Sequence, residues 1–163
     1  MNDIAIFGAG GFGREVACLI RLINDSLEEP QWNLIGFFDD NNEIQGTANE
    51  YGKVLGGMEV LNKWETPLDI VIAVGNPQVV RKIAEGINNP LVAFPNIIAP
   101  SVIWLDNGNV RMGKGNVLCS GCLVSCNVDI GDFNIFNGCI PIGHDTRIGN
   151  YNVIMPSCNI SGG

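Results

Sequence analysis

His144, the only histidine in the chain, is followed directly by a carboxylate in His144-Asp145-Thr146-Arg147-Ile148-Gly149. Imidazole, with an unperturbed pKa of about 6.5, is the side chain best suited to take a proton from an attacking amine or hydroxyl at neutral pH. Asp145 can orient such a ring or stabilise its charged form. A lone histidine on a turn is also commonly an ordinary surface residue. A second group of suggestive residues lies in three loops that each follow an apolar run: Gly8-Ala9-Gly10-Gly11-Phe12-Gly13, Asp39-Asp40, and Gly75-Asn76. The spacing Gly8-x-Gly10-x-x-Gly13 lets a backbone approach a pyrophosphate, whose charge would meet free N–H groups at a helix N-terminus. The same glycines also suit a simple tight turn. Asp39 or Asp40 can accept hydrogen bonds from a ribose or base, or can cap a helix.

These loops need a scaffold, and the first half of the chain predicts one. Asp3–Phe7 reads as a strand. Val16, Leu19, Ile20 and Ile23 recur at the spacing of one face of a helix over Arg14–Ile23. Further strands are predicted at Leu34–Phe38 and Ile70–Val74, then a helix with Val79, Val80, Ile83 and Ala84 on one face. Alternating strands and helices imply a parallel sheet with crossover helices, an α/β Rossmann-like domain over residues 1–95. Ligands of such sheets sit outside the carboxyl ends of the strands, where the three loops meet. An NAD fingerprint places its acid about 20 residues beyond the glycines, whereas Asp39 comes 26 positions after Gly13. With only one βαβ half visible, a mononucleotide or nucleotide-sugar fits better.

The second half repeats every six residues. Met112, Leu118, Val124, Ile130, Phe136, Ile142, Ile148, Ile154 and Ile160 are all large and apolar, a run with a chance frequency of about one in a thousand. Neither a helix nor a hairpin has that period. A three-sided prism of short parallel strands does, with one apolar residue pointing inward per side. The residue after each apolar position is mostly small, as at Gly113, Gly131, Gly143 and Gly149, and is expected at corners that need φ > 0. The repeat thereby accounts for the 21 glycines and the low 16% of charged residues.

The hexads resemble the hexapeptide-repeat acyltransferases, which are left-handed parallel β-helices. Combined with Gly8 to Glu15, Asp39-Asp40 and Ala73-Val74-Gly75-Asn76, they resemble the sialic acid O-acetyltransferase and UDP-amino-sugar N-acetyltransferase subfamily of the bacillosamine pathway. The resemblance implies a β-helix acyltransferase domain over residues 96–163 and acetyl transfer from acetyl-CoA to an amine or hydroxyl of a sugar, expected to be a UDP-linked amino sugar. It also implies a homotrimer with CoA between neighbouring β-helices. Its basic histidine and the following acid match His144 and Asp145, and its nucleotide-sugar loop matches Gly8, Gly10, Gly11, Phe12 and Gly13, with Asp39, Asp40, Gly75 and Asn76. No CoA-binding residue is assigned. Many relatives carry a second histidine where this chain has Val153. Relatives continue for further coils, whereas here the repeat stops inside a hexad at Ile160-Ser161-Gly162-Gly163. The expectation is a C-terminally incomplete solenoid with an exposed strand edge and weak or no acetyl-CoA turnover.

Composition narrows the partners. A net charge of −8 leaves no basic patch for nucleic acid or an anionic membrane. No apolar stretch is long enough to span a bilayer and Met1-Asn2-Asp3 lacks the positive start of a signal peptide, so a cytoplasmic location is expected. The six cysteines are then reduced thiols. Cys119, Cys122 and Cys126 fall at different hexad positions and are not expected to bind metal. Two other functions remain open on sequence: a non-catalytic nucleotide-sugar-binding trimeric scaffold, and an NAD-dependent oxidoreductase resting on the glycine loop alone.

Overall fold

The first apolar run becomes β1 (Asn2–Phe7), the centre of a six-stranded sheet. The computed structural model describes all residues, Met1–Gly163, as two units, Met1–Pro95 and Asn96–Gly163. In the first unit β1 is followed by α1 (Gly11–Asp25), β2 (Trp32–Phe38), β3 (Ala48–Asn49), β4 (Gly52–Gly56), α2 (Met58–Asn62), β5 (Leu68–Ile72), α3 (Pro77–Gly86) and β6 (Val92–Ala93). The sheet order is β3-β4-β2-β1-β5-β6. All neighbours are parallel except the β3–β4 hairpin at the edge. Ile4, Ala5 and Ile6 are fully buried, which explains why β1 reads as an unbroken apolar run: both faces of a parallel strand are covered.

The chain leaves β1 to pair β2 on one side and returns to pair β5 on the other. This reversal makes a crevice at the carboxyl end of β1. Helix α1 buries Val16, Leu19, Ile20 and Ile23, the face predicted for it. In α3 only Val80 and Ile83 of the predicted face are deeply buried, while Val79 is 39% exposed. Val79 stands about 100° round the helix from the buried Val80, in a first turn that Asn76 caps by accepting at its Oδ1 from the backbone N–H groups of Gln78 and Val79. Strand β5 begins two residues earlier than expected and ends at Ile72. The Ala73 N–H still bonds to the Phe7 carbonyl at 2.8 Å before the chain turns.

The second unit contains β7 (Ile97–Ile98), β8 (Ile103–Trp104), β9 (Val110–Met112), β10 (Val117–Leu118), β11 (Leu123–Val124), β12 (Val128–Ile130), β13 (Ile135–Phe136), β14 (Pro141–Ile142), β15 (Arg147–Ile148) and β16 (Val153–Ile154). They form three parallel sheets, β16-β13-β10-β7, β14-β11-β8 and β15-β12-β9, which the chain visits in turn. From β9 to β13 each strand pairs with the strand 18 residues on, as in Val110 with Val128 and Ile135 with Val153. The first coil is longer: Ile97 pairs with Val117 and Ile103 with Leu123, 20 residues on. The two extra residues therefore lie between β8 and β9, where a 3₁₀ turn spans Asn107–Asn109.

Leu118, Val124, Phe136 and Ile142 point inward and are fully buried. Two residues before each inward position a second row also faces the interior, including Cys122, Val128 and Ile140. One column of this row is polar and forms a ladder. Asn116 Oδ1 accepts from the Asn134 backbone N–H at 2.9 Å and from its Nδ2 at 3.0 Å. Asn134 Oδ1 accepts the same pair from Asn152 at 2.9 and 2.8 Å. Asn116 and Asn134 are completely buried, so each amide replaces water for the next coil.

The corners differ from expectation. Positive φ falls not directly after the inward residue but three positions after it, at Gly115, Gly121, Asn127, Phe133, Cys139, Asp145, Tyr151 and Ser157. Most of these are not glycine. Phe133 and Tyr151, one coil apart, stack with ring centroids 5.6 Å apart. That contact offsets part of the roughly 1–2 kcal/mol cost of a left-handed conformation. The small residues directly after the inward row answer a different constraint. A Cβ on Gly131 would collide with Asn150 Oδ1 and stand 2.8 Å from the Gly149 carbonyl oxygen, and Gly113 and Gly143 are similarly close to the backbone one coil on, so glycine at these three positions lets one coil settle on the next.

Two stability outcomes follow. Asn134→Ala leaves the Asn152 backbone N–H and amide without their acceptor and should cost about 2–3 kcal/mol in urea unfolding. Gly13→Ala drives a Cβ into the Gly8 carbonyl oxygen, backbone against backbone, and should cost about 1–3 kcal/mol in the same measurement.

Candidate active site

The glycine loop sits at the carboxyl end of β1, held from three directions. The Gly8 N–H donates to the Phe38 carbonyl at 2.8 Å, and Gly8 adopts φ +115° with a Cβ position only 2.6 Å from the Ala73 carbonyl oxygen. Gly13 packs directly onto Gly8 and brings α1 against β1. These two glycines serve the fold. Gly10 and Gly75 have nothing within 4 Å of a Cβ, and Gly11 has only an Arg14 guanidinium at 3.9 Å. No protein atom demands glycine at those three positions, which leaves open backbone at the crevice. No side chain caps α1, so Gly10 begins the helix with bare first-turn N–H groups, and the half-buried Phe12 lies in that turn.

Both aspartates already have backbone partners. Asp39 Oδ2 accepts from the Ala9 N–H at 2.9 Å and its Oδ1 from the Asn41 N–H at 2.9 Å, tying the glycine loop to the turn after β2. Asp40 Oδ1 accepts from the Met58 N–H at 2.7 Å and caps α2. Asn76 caps α3 through its Oδ1, and Gly75 before it is exposed. The structure thus gathers Gly8 to Gly13 with Asp39 in direct contact. It gives Asp40 and Asn76 capping work that their sequence context does not distinguish from ligand binding.

In the second unit, His144 occupies the corner between β14 and β15. Its side chain is 64% exposed, and Nδ1 lies 2.7 Å from Asp145 Oδ2. A carboxylate at Nδ1 favours the tautomer with its proton there and leaves Nε2 as the acceptor. The Asp145 carboxyl is held below the usual carboxylate range, first by His144 and then by the Asn127 amide, which donates to Oδ1 at 3.1 Å. Asp145 is therefore ionised throughout the range in which an imidazole titrates. The Gly162 backbone packs beside the ring: a Cβ there would come within 2.8 Å of Nε2.

A cleft of about 350 Å³ adjoins Asp145, lined by Asn109, Arg111, Asn127, Asp129 and Arg147. Arg111 donates to both oxygens of Asp129, at 2.7 and 3.2 Å, and Arg147 reaches the same carboxylate at 3.8 Å. These pairs hold the Asp129 carboxyl low and Arg111 high in pKa. Sequence reasoning passed over Asn127. The available signal is its spacing, since it stands 18 residues before Asp145, one coil earlier in the same column. The cysteines make no metal cluster, and none is in a disulfide. No helix is long and apolar enough to cross a membrane.

Known proteins resemble both units. The GDP-perosamine N-acetyltransferase of Escherichia coli O157:H7 is 27% identical over 171 residues, spanning 99% of this chain and 71% of its own length. The acetyltransferase domain of PglB from Neisseria gonorrhoeae FA1090, solved with acetyl coenzyme A, is 26% identical with a TM-score of 0.78 over 98% of this chain and 73% of that one. PerB from Caulobacter crescentus, solved with CoA and GDP-perosamine, shares the fold with a TM-score of 0.81 at 22% identity, covering 100% of this chain and 73% of that one. The PglD N-terminal domain matches residues 3–87, from β1 through α3. With that match over more than half its length, the chain belongs to the PglD N-terminal domain family, and it is an acetyl-CoA-dependent acyltransferase.

Proposed function

We propose that this enzyme moves an acetyl group from acetyl-CoA to the amine of a nucleotide-linked sugar. The observation that carries the reading is the His144–Asp145 pair, with Nδ1 held at 2.7 Å and the ring open to solvent. Nε2 takes the proton of the acceptor amine as its nitrogen bonds to the thioester carbonyl carbon. The carbon–sulfur bond then breaks, and the departing CoA thiolate receives the proton from the imidazolium. Asp145, ionised throughout, stabilises that imidazolium. Proton transfer of this kind needs no metal.

In this reading the first unit holds the nucleotide-sugar. Its diphosphate lies on the open backbone of Gly10 and Gly11 and the bare N-terminus of α1, next to Phe12. The base or ribose meets the remaining acceptor capacity of Asp39 and the turn at Asp40, with Gly75 and Asn76 bordering the same crevice. A UDP-linked amino sugar is the expected acceptor, and the GDP-linked sugar named for the relatives is the competing nucleotide. The second unit is the left-handed β-helix of the hexapeptide-repeat acyltransferases. The enzyme works as a homotrimer in the cytoplasm, where acetyl-CoA is available.

The test is an acetyl-transfer assay with UDP- and GDP-linked amino sugars, read as CoA release. Turnover that survives His144→Ala within a factor of two would overturn the assignment; a loss of about 100-fold or more in kcat is expected for a missing general base. Asp145→Asn should lower kcat by about tenfold or more in the same assay, because the imidazolium formed during transfer loses its anionic partner. Gly10→Ala is expected to leave urea stability within about 0.5 kcal/mol, since nothing surrounds its Cβ. The same variant should raise the Kd for the nucleotide-sugar in calorimetry. Sedimentation of the intact chain tests the trimer.

A further inference from the structure

We propose that Asn127 is a positioning residue for the proton-accepting imidazole: it fixes Asp145, which in turn fixes His144. The inference rests on the assignment of His144 as the base. His144 and Asp145 are adjacent in sequence, and neighbouring side chains at a corner tend to diverge, so a 2.7 Å contact between them requires the carboxylate to be held. Asp145 stands at φ +58°, and its backbone N–H donates to the Cys126 carbonyl one coil earlier at 3.0 Å. Asn127 stands at the equivalent corner of that coil, φ +57°, and its Nδ2 donates to Asp145 Oδ1 at 3.1 Å. Both carboxylate oxygens are thereby engaged, one by the amide and one by the imidazole.

The other charged groups of the cleft point elsewhere. Arg111 and Arg147 both converge on Asp129, and Cys126 precedes Asn127 in the coil below His144. An amide suits this place better than a cation. It orients the carboxylate without neutralising it, so the full negative charge remains to stabilise the imidazolium. An asparagine also tolerates φ > 0 better than most residues, so its presence at the corner has a purely conformational explanation that the variants must separate.

Asn127→Gly separates them, because glycine keeps the left-handed corner and removes only the amide. Asn127→Asp keeps the shape and sets a carboxylate against Asp145. The protein has a single histidine, so a long-range ¹H–¹⁵N spectrum contains one imidazole and reports its tautomer directly. The parent is expected to show mainly the Nδ1–H form at high pH, and both variants a mixture of tautomers. In the transfer assay kcat should fall about two- to tenfold in each variant, the equivalent of one hydrogen bond, with KM for acetyl-CoA changed less than twofold. An unchanged tautomer in Asn127→Gly overturns the proposal, as does an unchanged kcat when His144→Ala is inactive. If the tautomer shifts while His144→Ala retains full turnover, the positioning stands and the assignment of the base fails.

Discussion

Parallel pairing at a spacing of 18 residues governs the second unit, because it stacks every side chain on its counterpart one coil away. A position must therefore suit its vertical neighbours as well as its place in the hexad. Buried asparagine becomes acceptable under that rule: Asn116 and Asn134, both fully buried, pair with each other and with Asn152 one coil further on, so their amide oxygens are not left without donors in the core. Gly113 and Gly131, directly after the inward row, meet the same rule by leaving room for the carbonyls of Gly131 and Gly149 one coil on. The stacked rings of Phe133 and Tyr151 meet it with aromatic contact at corners where neither residue would settle alone.

Close approach of backbone to backbone also shapes the glycine loop of the first unit, and it divides residues that look alike in the sequence. Gly8 and Gly13 are required by the protein itself, one for its φ and its distance from Ala73, the other to seat α1 on β1. Gly10, Gly11 and Gly75 border empty space. The first pair would persist in any strand–turn–helix unit of this tightness, whatever its ligand. Only the open glycines carry information about what comes to the crevice.

Much of this architecture is legible in the sequence wherever a single period dominates. The inward hexad row, the buried face of α1 and the central strand β1 each depend on apolar burial at a fixed interval, so a linear reading recovers them. Val79 is misread because the apolar letters run wider than the face the helix buries: it stands about 100° round α3 from Val80 and is 39% exposed. The corners are misplaced because small residues mark two separate constraints, left-handed φ and coil-to-coil contact, that look identical as letters. Strands β3 and β4 and helix α2 are too short for any period to emerge. His144 and Asp145 are legible as neighbours, whereas Asn127 joins them only through the coil repeat. Likewise the capping duties of Asp40 and Asn76 become visible only when their backbone partners are in place.

The 20-residue first coil has a consequence for how such a chain can change in length. Two additional residues are absorbed between β8 and β9, in the 3₁₀ turn at Asn107–Asn109, and every later strand returns to the 18-residue register. An insertion at a corner bulges outward and leaves the stack undisturbed. One residue added inside a strand would instead exchange inward for outward positions and break the asparagine column at that level. Gene rearrangements that duplicate or delete whole turns of 18 codons preserve every column, so a solenoid of this kind can lengthen or shorten by complete turns while the chemistry of each corner is kept.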